Sequence, residues 1–347
     1  MKNGFMKIIY KITNIFFIFY IYYKKTFMME EYSIQKENLA TFELDTILKG
    51  HTSQVTLLLL FDDNTLVSGS NDNIIKIWDL NKDECIATLK GHIGPINDII
   101  KLDSKENIIV SCSHDSSIRF WDLKSFSLSY SIQHAHGAQI YAICEIKNKN
   151  ILLSCSVDTT IKAFNINTYQ SLFILKSPYV NSALICISQI IFIEGIYKES
   201  DIVASGTFDG HVIIWNLSSK QISSTLHCGE AAITSVKQLP TQKKKMLTTS
   251  YKKYIRVWNI LTFELITEVQ FNPYISWVLC STFINNDTLI VGSGSKGMIV
   301  FNIGATPGFM NEIKDESSIY SLISDMKGRI IAGTSDNLIK IYKPSLK

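Results

Sequence analysis

One motif recurs seven times along the chain, and its spacing restricts the fold more than any other feature. The motif is a polar turn and an alternating apolar run that ends in an aromatic residue, as in SGSNDNIIKIWDL from Ser68 and SCSHDSSIRFWDL from Ser111. The closing aromatic residues are Trp78, Trp121, Phe164, Trp215, Trp258, Phe301 and Tyr342. Successive markers are 43, 43, 51, 43, 43 and 41 residues apart. Such a period indicates one structural unit repeated seven times, rather than one active site with decayed copies.

Each repeat has the pattern of four short strands. In residues 90–123, three apolar runs rich in Ile and Val alternate with turns of Asp, Ser, Asn and Gly. A fourth run, such as residues 85–89, precedes each Gly-His turn, and no helical period of 3.6 residues is found in the body of the chain. We place the eight extra residues of the long interval around residues 188–200. The pattern predicts a stacked all-β array.

The turns and markers resemble those of the WD-repeat family, with its G-beta-like repeats. The resemblance rests on LKGH at residues 48–51 and 89–92 and on WDL after the first two repeats, and it extends over residues 42–343. It implies a seven-bladed β-propeller of four-stranded antiparallel blades. Only five residues follow Tyr342, so the last blade is one strand short. We expect the spare N-terminal strand at residues 41–48 to complete that blade and close the ring.

The resemblance also implies a hydrogen-bonded set of four side chains within a blade. The residues are His51, Ser68, Asp72 and Trp78 in the first blade, and His92, Ser111, Asp115 and Trp121 in the second. The third blade has His136, Ser154 and Asp158, but Phe164 has no indole N–H to donate. His, Ser and Asp are also the residue types of a hydrolase triad. Because the set recurs beside a Trp, we interpret it as structural and expect no catalytic residues.

Partners of such propellers bind the upper face, which carries the Gly-His turns and the turns with the Asp. By resemblance, its exposed columns include the residue after the first apolar residue of each inner strand, where we place Trp277, and the residue before the Asp. The predicted partner-binding residues are Asn71, His114, Tyr141, Phe208, Tyr251, Trp277 and Tyr320. Aromatic side chains are common in binding hot spots. With Lys252 beside Tyr251, a peptide that carries an acidic residue next to an apolar one would suit this face.

Composition excludes several other functions. Lys and Arg total 34 against 31 Asp and Glu, so the net charge of +3 does not favour nucleic acid as a partner. The seven cysteines are odd in number and have no CxxC spacing, which indicates free thiols in a reducing compartment. We expect no metal and no cofactor. The sequence predicts a non-enzymatic scaffold or adaptor in the cytoplasm, which binds proteins or peptides in multiprotein complexes.

The first 40 residues form an extension ahead of the propeller, which we assign to residues 41–347. Residues 7–25 are apolar and aromatic with lysines at both ends, but their unbroken apolar part has only nine residues where a membrane span needs about 20. We interpret the segment as non-native coding sequence before a start at Met28 or Met29, with a signal-anchor as the alternative. A membrane-tethered adaptor is therefore the alternative function, and a propeller hydrolase a weaker one.

Overall fold

The structure is a computed structural model that describes residues 41–191, 201–239, 242, 244–252, 254–270, 277–285, 287–295, 297–303 and 308–345. The extension with its apolar stretch at residues 7–25, and most of the interval assigned to the insertion, lie outside them. The described chain forms a compact unit over Phe42–Ser345. Within the described residues, no helix is both long and apolar enough to cross a membrane.

The described residues form 28 strands. They are β1 (Thr41–Lys49), β2 (Val55–Leu60), β3 (Thr65–Ser70), β4 (Ile75–Asp79), β5 (Glu84–Leu89), β6 (Ile96–Lys101), β7 (Ile108–Ser113), β8 (Ile118–Asp122), β9 (Ser127–Ile132), β10 (Ile140–Ile146), β11 (Ile151–Ser156), β12 (Thr160–Asn165), β13 (Ser171–Lys176), β14 (Leu184–Ile190), β15 (Ile202–Thr207), β16 (His211–Asn216), β17 (Gln221–His227), β18 (Ile233–Gln238), β19 (Lys245–Ser250), β20 (Tyr254–Asn259), β21 (Leu265–Gln270), β22 (Val278–Phe283), β23 (Thr288–Ser293), β24 (Met298–Asn302), β25 (Gly308–Ile313), β26 (Ile319–Ser324), β27 (Ile330–Thr334) and β28 (Leu338–Ser345).

The strands form seven four-stranded sheets, and the predicted all-β propeller of seven antiparallel blades is confirmed. Blades 1 to 6 each use four consecutive strands in sequence order, beginning at β2, β6, β10, β14, β18 and β22. Blade 7 has the order β1-β28-β27-β26, so its outer strand comes from the start of the described chain. The inner strands are β2, β6, β10, β14, β18, β22 and β26, and each contacts the inner strands of the two neighbouring blades.

The hydrophobic core lies in the seams between blades. The marker Trp121 of blade 2, for example, packs in one cluster with Ile77 and Leu89 of blade 1. The seam between blades 7 and 1 joins Ile331 and Leu48 to Trp78. Because the middle strands of a blade are covered on both faces, their apolar residues alternate between two seams. The repeat therefore fixes the fold by giving each blade two complementary faces.

Close approach between blades restricts one position of the second strand to small residues. At Gly206, an added Cβ would lie 2.6 Å from Cys186 Sγ and 2.7 Å from Ile233 Cβ of the next blade. Blades 2 and 3 have Cys112 and Cys155 at this position, and both are fully buried. The size of the side chain at this position is thus limited by packing between blades, and not by the backbone conformation of a turn.

We expect Gly206→Ala to lower the free energy of unfolding by about 1–3 kcal/mol, because the added methyl group overpacks the seam between blades 4 and 5. Urea denaturation would measure the change. Gly308→Ala is the matched control, since nothing lies within 4 Å of its added Cβ. An equal loss of stability in both variants would show that the seam is not the cause.

Candidate partner-binding face

In blade 1, a chain of hydrogen bonds connects the turn before β2 to β3 and β4. His51 Nδ1 lies 2.8 Å from Asp72 Oδ2, and His51 Nε2 lies 2.7 Å from Ser68 Oγ. Trp78 Nε1 donates to Ser68 Oγ at 2.8 Å. A carboxylate only accepts, so Nδ1 of His51 carries the proton and its Nε2 accepts from the serine hydroxyl. Burial lowers the pKa of His51, which favours the neutral imidazole that this arrangement requires.

Blade 2 repeats this geometry with small changes. His92 lies 2.8 Å from both Asp115 Oδ2 and Ser111 Oγ, and Trp121 Nε1 donates to Ser111 Oγ at 2.8 Å. Burial alone would raise the pKa of Asp115, but hydrogen bonds from His92 and Ser117 hold it well below its usual value. Ser68 and Ser111 are both fully buried. Their hydroxyls join strands within a blade and are not accessible to a substrate.

Blade 3 has the same His, Ser and Asp without the indole donor. His136 contacts Asp158 at 2.9 Å and Ser154 at 2.7 Å, while Phe164 occupies the marker position. The Ser154 hydroxyl instead lies 3.5 Å from the carbonyl of Lys162. Blade 3 therefore lacks the indole bond, which blades 4 and 5 form again from Trp215 to Ser205 and from Trp258 to Thr248.

Blade 7 replaces the histidine with a network that the sequence analysis missed. Lys340 Nζ lies 2.8 and 3.0 Å from the two carboxylate oxygens of Asp315 and 2.9 Å from Asp336. Tyr342, the marker residue, donates its hydroxyl to Asp315. Burial alone would raise the pKa of Asp315, but hydrogen bonds from Lys340, Ser317 and Tyr342 lower it. The buried Lys340, between two carboxylates, thus occupies the structural role that the histidine has in blades 1 to 3. Because blade 7 has no Gly-His turn, the sequence gives no indication of this network.

Three of the predicted partner-binding residues line one cavity on the upper face. Tyr141, Phe208 and Tyr251 surround a cavity of about 550 Å³, with Glu230 and Lys252 also in its lining. Phe208 is 66% exposed, which is unusual for a phenylalanine in a folded domain. The cavity spans blades 3 to 6, with Leu279 contributed by blade 6, and is mostly apolar in its side chains.

The other four predicted residues have different surroundings. Trp277 stacks on Tyr251, with ring centroids 5.4 Å apart, and so extends the aromatic surface from the cavity towards blade 6. His114 meets Tyr141 edge to face at 5.6 Å. Tyr320 lines a second cavity, of about 400 Å³, formed by inner strands of several blades. Asn71 donates to Gln54 at 3.1 Å and lines neither of these two cavities.

The structure corrects the register of Trp277. In every blade, the residue just before the inner strand has a carbonyl that accepts from a backbone N–H in the turn before the third strand. In blade 6 that residue is Trp277, and its carbonyl accepts from Gly294 N. The inner strand begins one residue later, at Val278, which is fully buried. Leu279, not Trp277, therefore follows the first apolar residue. The prediction placed Trp277 wrongly because the strand begins where Val278 is buried against Leu247 and Ile255 of the preceding blade, which hydropathy alone does not show.

The wall of the second cavity contains two partly buried charged groups, Asp98 and Lys237, that the sequence did not indicate. Asp98 on β6 accepts from Ile99 N and from Ile143 N of the next blade, both at 2.9 Å. Burial raises the pKa of Asp98 to about 6, although those hydrogen bonds and the charge of Lys237 oppose the shift. Lys237 donates to the carbonyl of Ser281 in blade 6, and burial lowers its pKa. Both groups connect neighbouring blades around the axis.

Comparison with known proteins identifies the repeats. The sequence model of the WD domain, G-beta repeat, matches residues 42–79, 83–122 and 127–165. F-box/WD repeat-containing protein 7 of Drosophila melanogaster is 44% identical over 50 residues, which are 14% of this chain and 4% of that protein. The probable E3 ubiquitin ligase complex SCF subunit scon-2 of Neurospora crassa is 54% identical over 44 residues, or 13% of this chain and 7% of that protein.

A third relative is named for a different activity. Myosin heavy chain kinase B of Dictyostelium discoideum is 42% identical over 64 residues, or 18% of this chain and 8% of that protein. The chain thus spans at most 8% of the length of these three relatives. The WD domain, G-beta repeat, is thus matched three times in a chain that forms seven four-stranded blades.

Proposed function

We propose that this protein is a non-enzymatic scaffold that binds a peptide segment of a protein partner on its upper face. The observation that carries the proposal is the aromatic cavity of blades 3 to 6, with Phe208 and Tyr251 at its exposed surface and Trp277 stacked on Tyr251. Its volume of about 550 Å³ is in the range of pockets that hold ligands or anchoring side chains. We also propose residues 41–347 as the propeller domain, a cytoplasmic location, and an extension before it.

The exposed aromatic area favours protein over small polar ligands. Phe208 is 66%, Trp277 48% and Tyr251 37% exposed, and they lie on neighbouring blades. Rigid aromatic side chains bury much area with little loss of rotamer freedom, which is why they recur at binding hot spots. A partner's apolar side chain in the cavity would therefore be the anchor of the complex.

The rim of the cavity carries two exposed charged side chains that a partner's charges could contact. Lys252 and Glu230 lie 4.0 Å apart, with their side chains 63% and 89% exposed. An ion pair this exposed contributes little, so either group is available to a partner. We propose that the partner places an acidic residue near Lys252, beside the apolar residue that enters the cavity.

The relatives support a place in a multiprotein assembly. One is an F-box/WD repeat-containing protein and another a probable SCF ubiquitin ligase subunit. The matched stretches are 50 and 44 residues long, about one blade each, and they support a recognition role for this chain within such an assembly. They do not carry over the partners of those proteins.

We expect Phe208→Ala to reduce recovery of the partner at least about tenfold in quantitative affinity purification, because it removes the exposed anchor of the cavity. Phe126→Ala is the matched control, since Phe126 is 41% exposed and lies in the turn between β8 and β9, away from the upper face. Thermal melts would show that both variants are folded. Undiminished recovery with Phe208→Ala and with Tyr251→Ala would overturn the proposal.

Charge reversal tests the acidic partner separately. Lys252→Glu is expected to weaken binding and Glu230→Lys to strengthen it, each by several-fold at low salt, with a smaller difference at high salt. The opposite pattern would mean a basic partner on the same face. Equal small effects would mean that charge has no part in recognition.

A further inference from the structure

Two histidines face each other at the upper end of blade 4. His211, the first residue of β16, and His227, the last of β17, are cross-strand partners. His211 Nε2 lies 3.2 Å from His227 Nδ1, and the ring centroids are 4.8 Å apart. The two are 16 residues apart in sequence, so the pairing is produced by the register of the sheet.

The orientation of His211 is fixed from two sides. Its Nδ1 lies 3.1 Å from Asp209 Oδ1, and its ring stacks on Tyr179 with centroids 4.0 Å apart and planes at 21°. Because a carboxylate only accepts, Nδ1 of His211 carries the proton. Its Nε2 therefore presents a lone pair towards His227.

We propose that His211 Nε2 and His227 Nδ1 bind a divalent transition-metal ion of the zinc class. Two imidazole nitrogens on a tetrahedral Zn²⁺, each about 2.0–2.1 Å from the ion, are about 3.3 Å apart, close to the spacing found here. The Asp209 carboxylate on the far nitrogen of His211 is the partner that metal-bound histidines commonly have, and it raises the basicity of the ligand.

The metal-free form is a hydrogen bond between the rings. In that form His227 Nδ1–H donates to His211 Nε2, and metal binding requires the proton of His227 to move to its Nε2. Since His227 is exposed, the new N–H can donate to water, and the change of tautomer costs little. Besides the change of tautomer, metal binding requires the rings to turn until both nitrogen lone pairs point at the ion.

The ligand set determines the class of ion and the type of site. Imidazole suits Zn²⁺, Cu²⁺ and Ni²⁺ rather than Mg²⁺ or Ca²⁺. In the described residues no group of three or more His, Cys, Asp or Glu side chains could hold a metal ion. The protein thus supplies two ligands, and the remaining coordination positions are left for water or for a side chain of a partner. It stands on the histidine pair alone and does not depend on the proposed peptide binding.

Zn²⁺ binding to the full chain, measured by competition with a chromophoric chelator, tests the site. We expect His227→Gln and His211→Gln each to weaken Zn²⁺ binding at least about tenfold, and Asp209→Asn to weaken it about 10–100-fold through the lost second contact. His134→Gln, which replaces another exposed histidine, is the control and is expected to leave binding unchanged. Circular dichroism would verify that each variant is folded.

Co²⁺ provides a second readout that a merely structural histidine would not affect. The wild type is expected to give the visible absorption of Co²⁺ with nitrogen ligands, and His227→Gln to abolish it. Zn²⁺ affinity in the wild type equal to that of the double variant His211→Gln with His227→Gln would overturn the proposal. So would an equal loss of binding in His134→Gln.

Discussion

Replacing Ser111 with alanine is expected to lower the free energy of unfolding by about 2–4 kcal/mol, a large effect for one hydroxyl. Ser111 Oγ accepts from Trp121 Nε1 and donates to His92 Nε2, both at 2.8 Å, and the residue is fully buried. Its removal leaves an indole N–H and an imidazole nitrogen buried without partners. Each such group costs about 1–3 kcal/mol. Urea denaturation of the two proteins would measure the difference.

Two other serines provide controls for this substitution. Ser250 is as buried as Ser111, but its hydroxyl has no partner among the described residues, so Ser250→Ala is expected to cost less than about 0.5 kcal/mol. Ser154→Ala in blade 3 is expected to lie between the two, because its hydroxyl contacts His136 but no indole. If all three alanine variants were equally unstable, the lost volume and not the hydrogen-bond network would explain the effect.

The fold could be predicted from the sequence because its determinants are local and repeated. Trp78 and Trp121 each occupy the same place in their own blade, ten residues after the serine that accepts from the indole. The alternation of apolar residues in strands such as Ile75–Asp79 is also decided within one blade. Seven repeats of a weak signal identify a propeller, although one repeat would not.

Features that depend on neighbouring blades could not be predicted in the same way. The register of Trp277 depends on where Val278 becomes buried against the preceding blade, and the sequence there has no Gly-His turn as a guide. The contact of His211 with His227 depends on the pairing of an outer strand whose sequence is variable. Lys340 could not be recognised as the centre of a network because Asp315, its partner, is 25 residues earlier.

Asp98 is another residue of this kind, and its effect on stability should depend on pH. Its folded-state pKa of about 6 exceeds the ordinary value of 3.8, so the folded protein holds the proton more tightly than the unfolded chain. The resulting stabilisation is fully present below pH 3.8 and is lost as the pH rises through 6. Relative to an Asp98→Asn variant, which cannot ionise, the wild type is expected to lose about 2 kcal/mol between about pH 4.5 and 7.5.

Urea denaturation of both proteins over this pH range would measure the loss as a difference between two curves. Asp72, Asp115 and Asp158, whose pKa values are lowered, lose their contribution as the pH falls, but they do so equally in both proteins. Asp103→Asn removes a carboxylate 58% exposed after the end of β6 and is the matched control, with a curve expected to run parallel to the wild type. A constant gap between wild type and Asp98→Asn at every pH would mean that Asp98 stays ionised in the folded protein. The stabilisation of its carboxylate by two backbone hydrogen bonds would then exceed the desolvation of Asp98 in the wall of the second cavity.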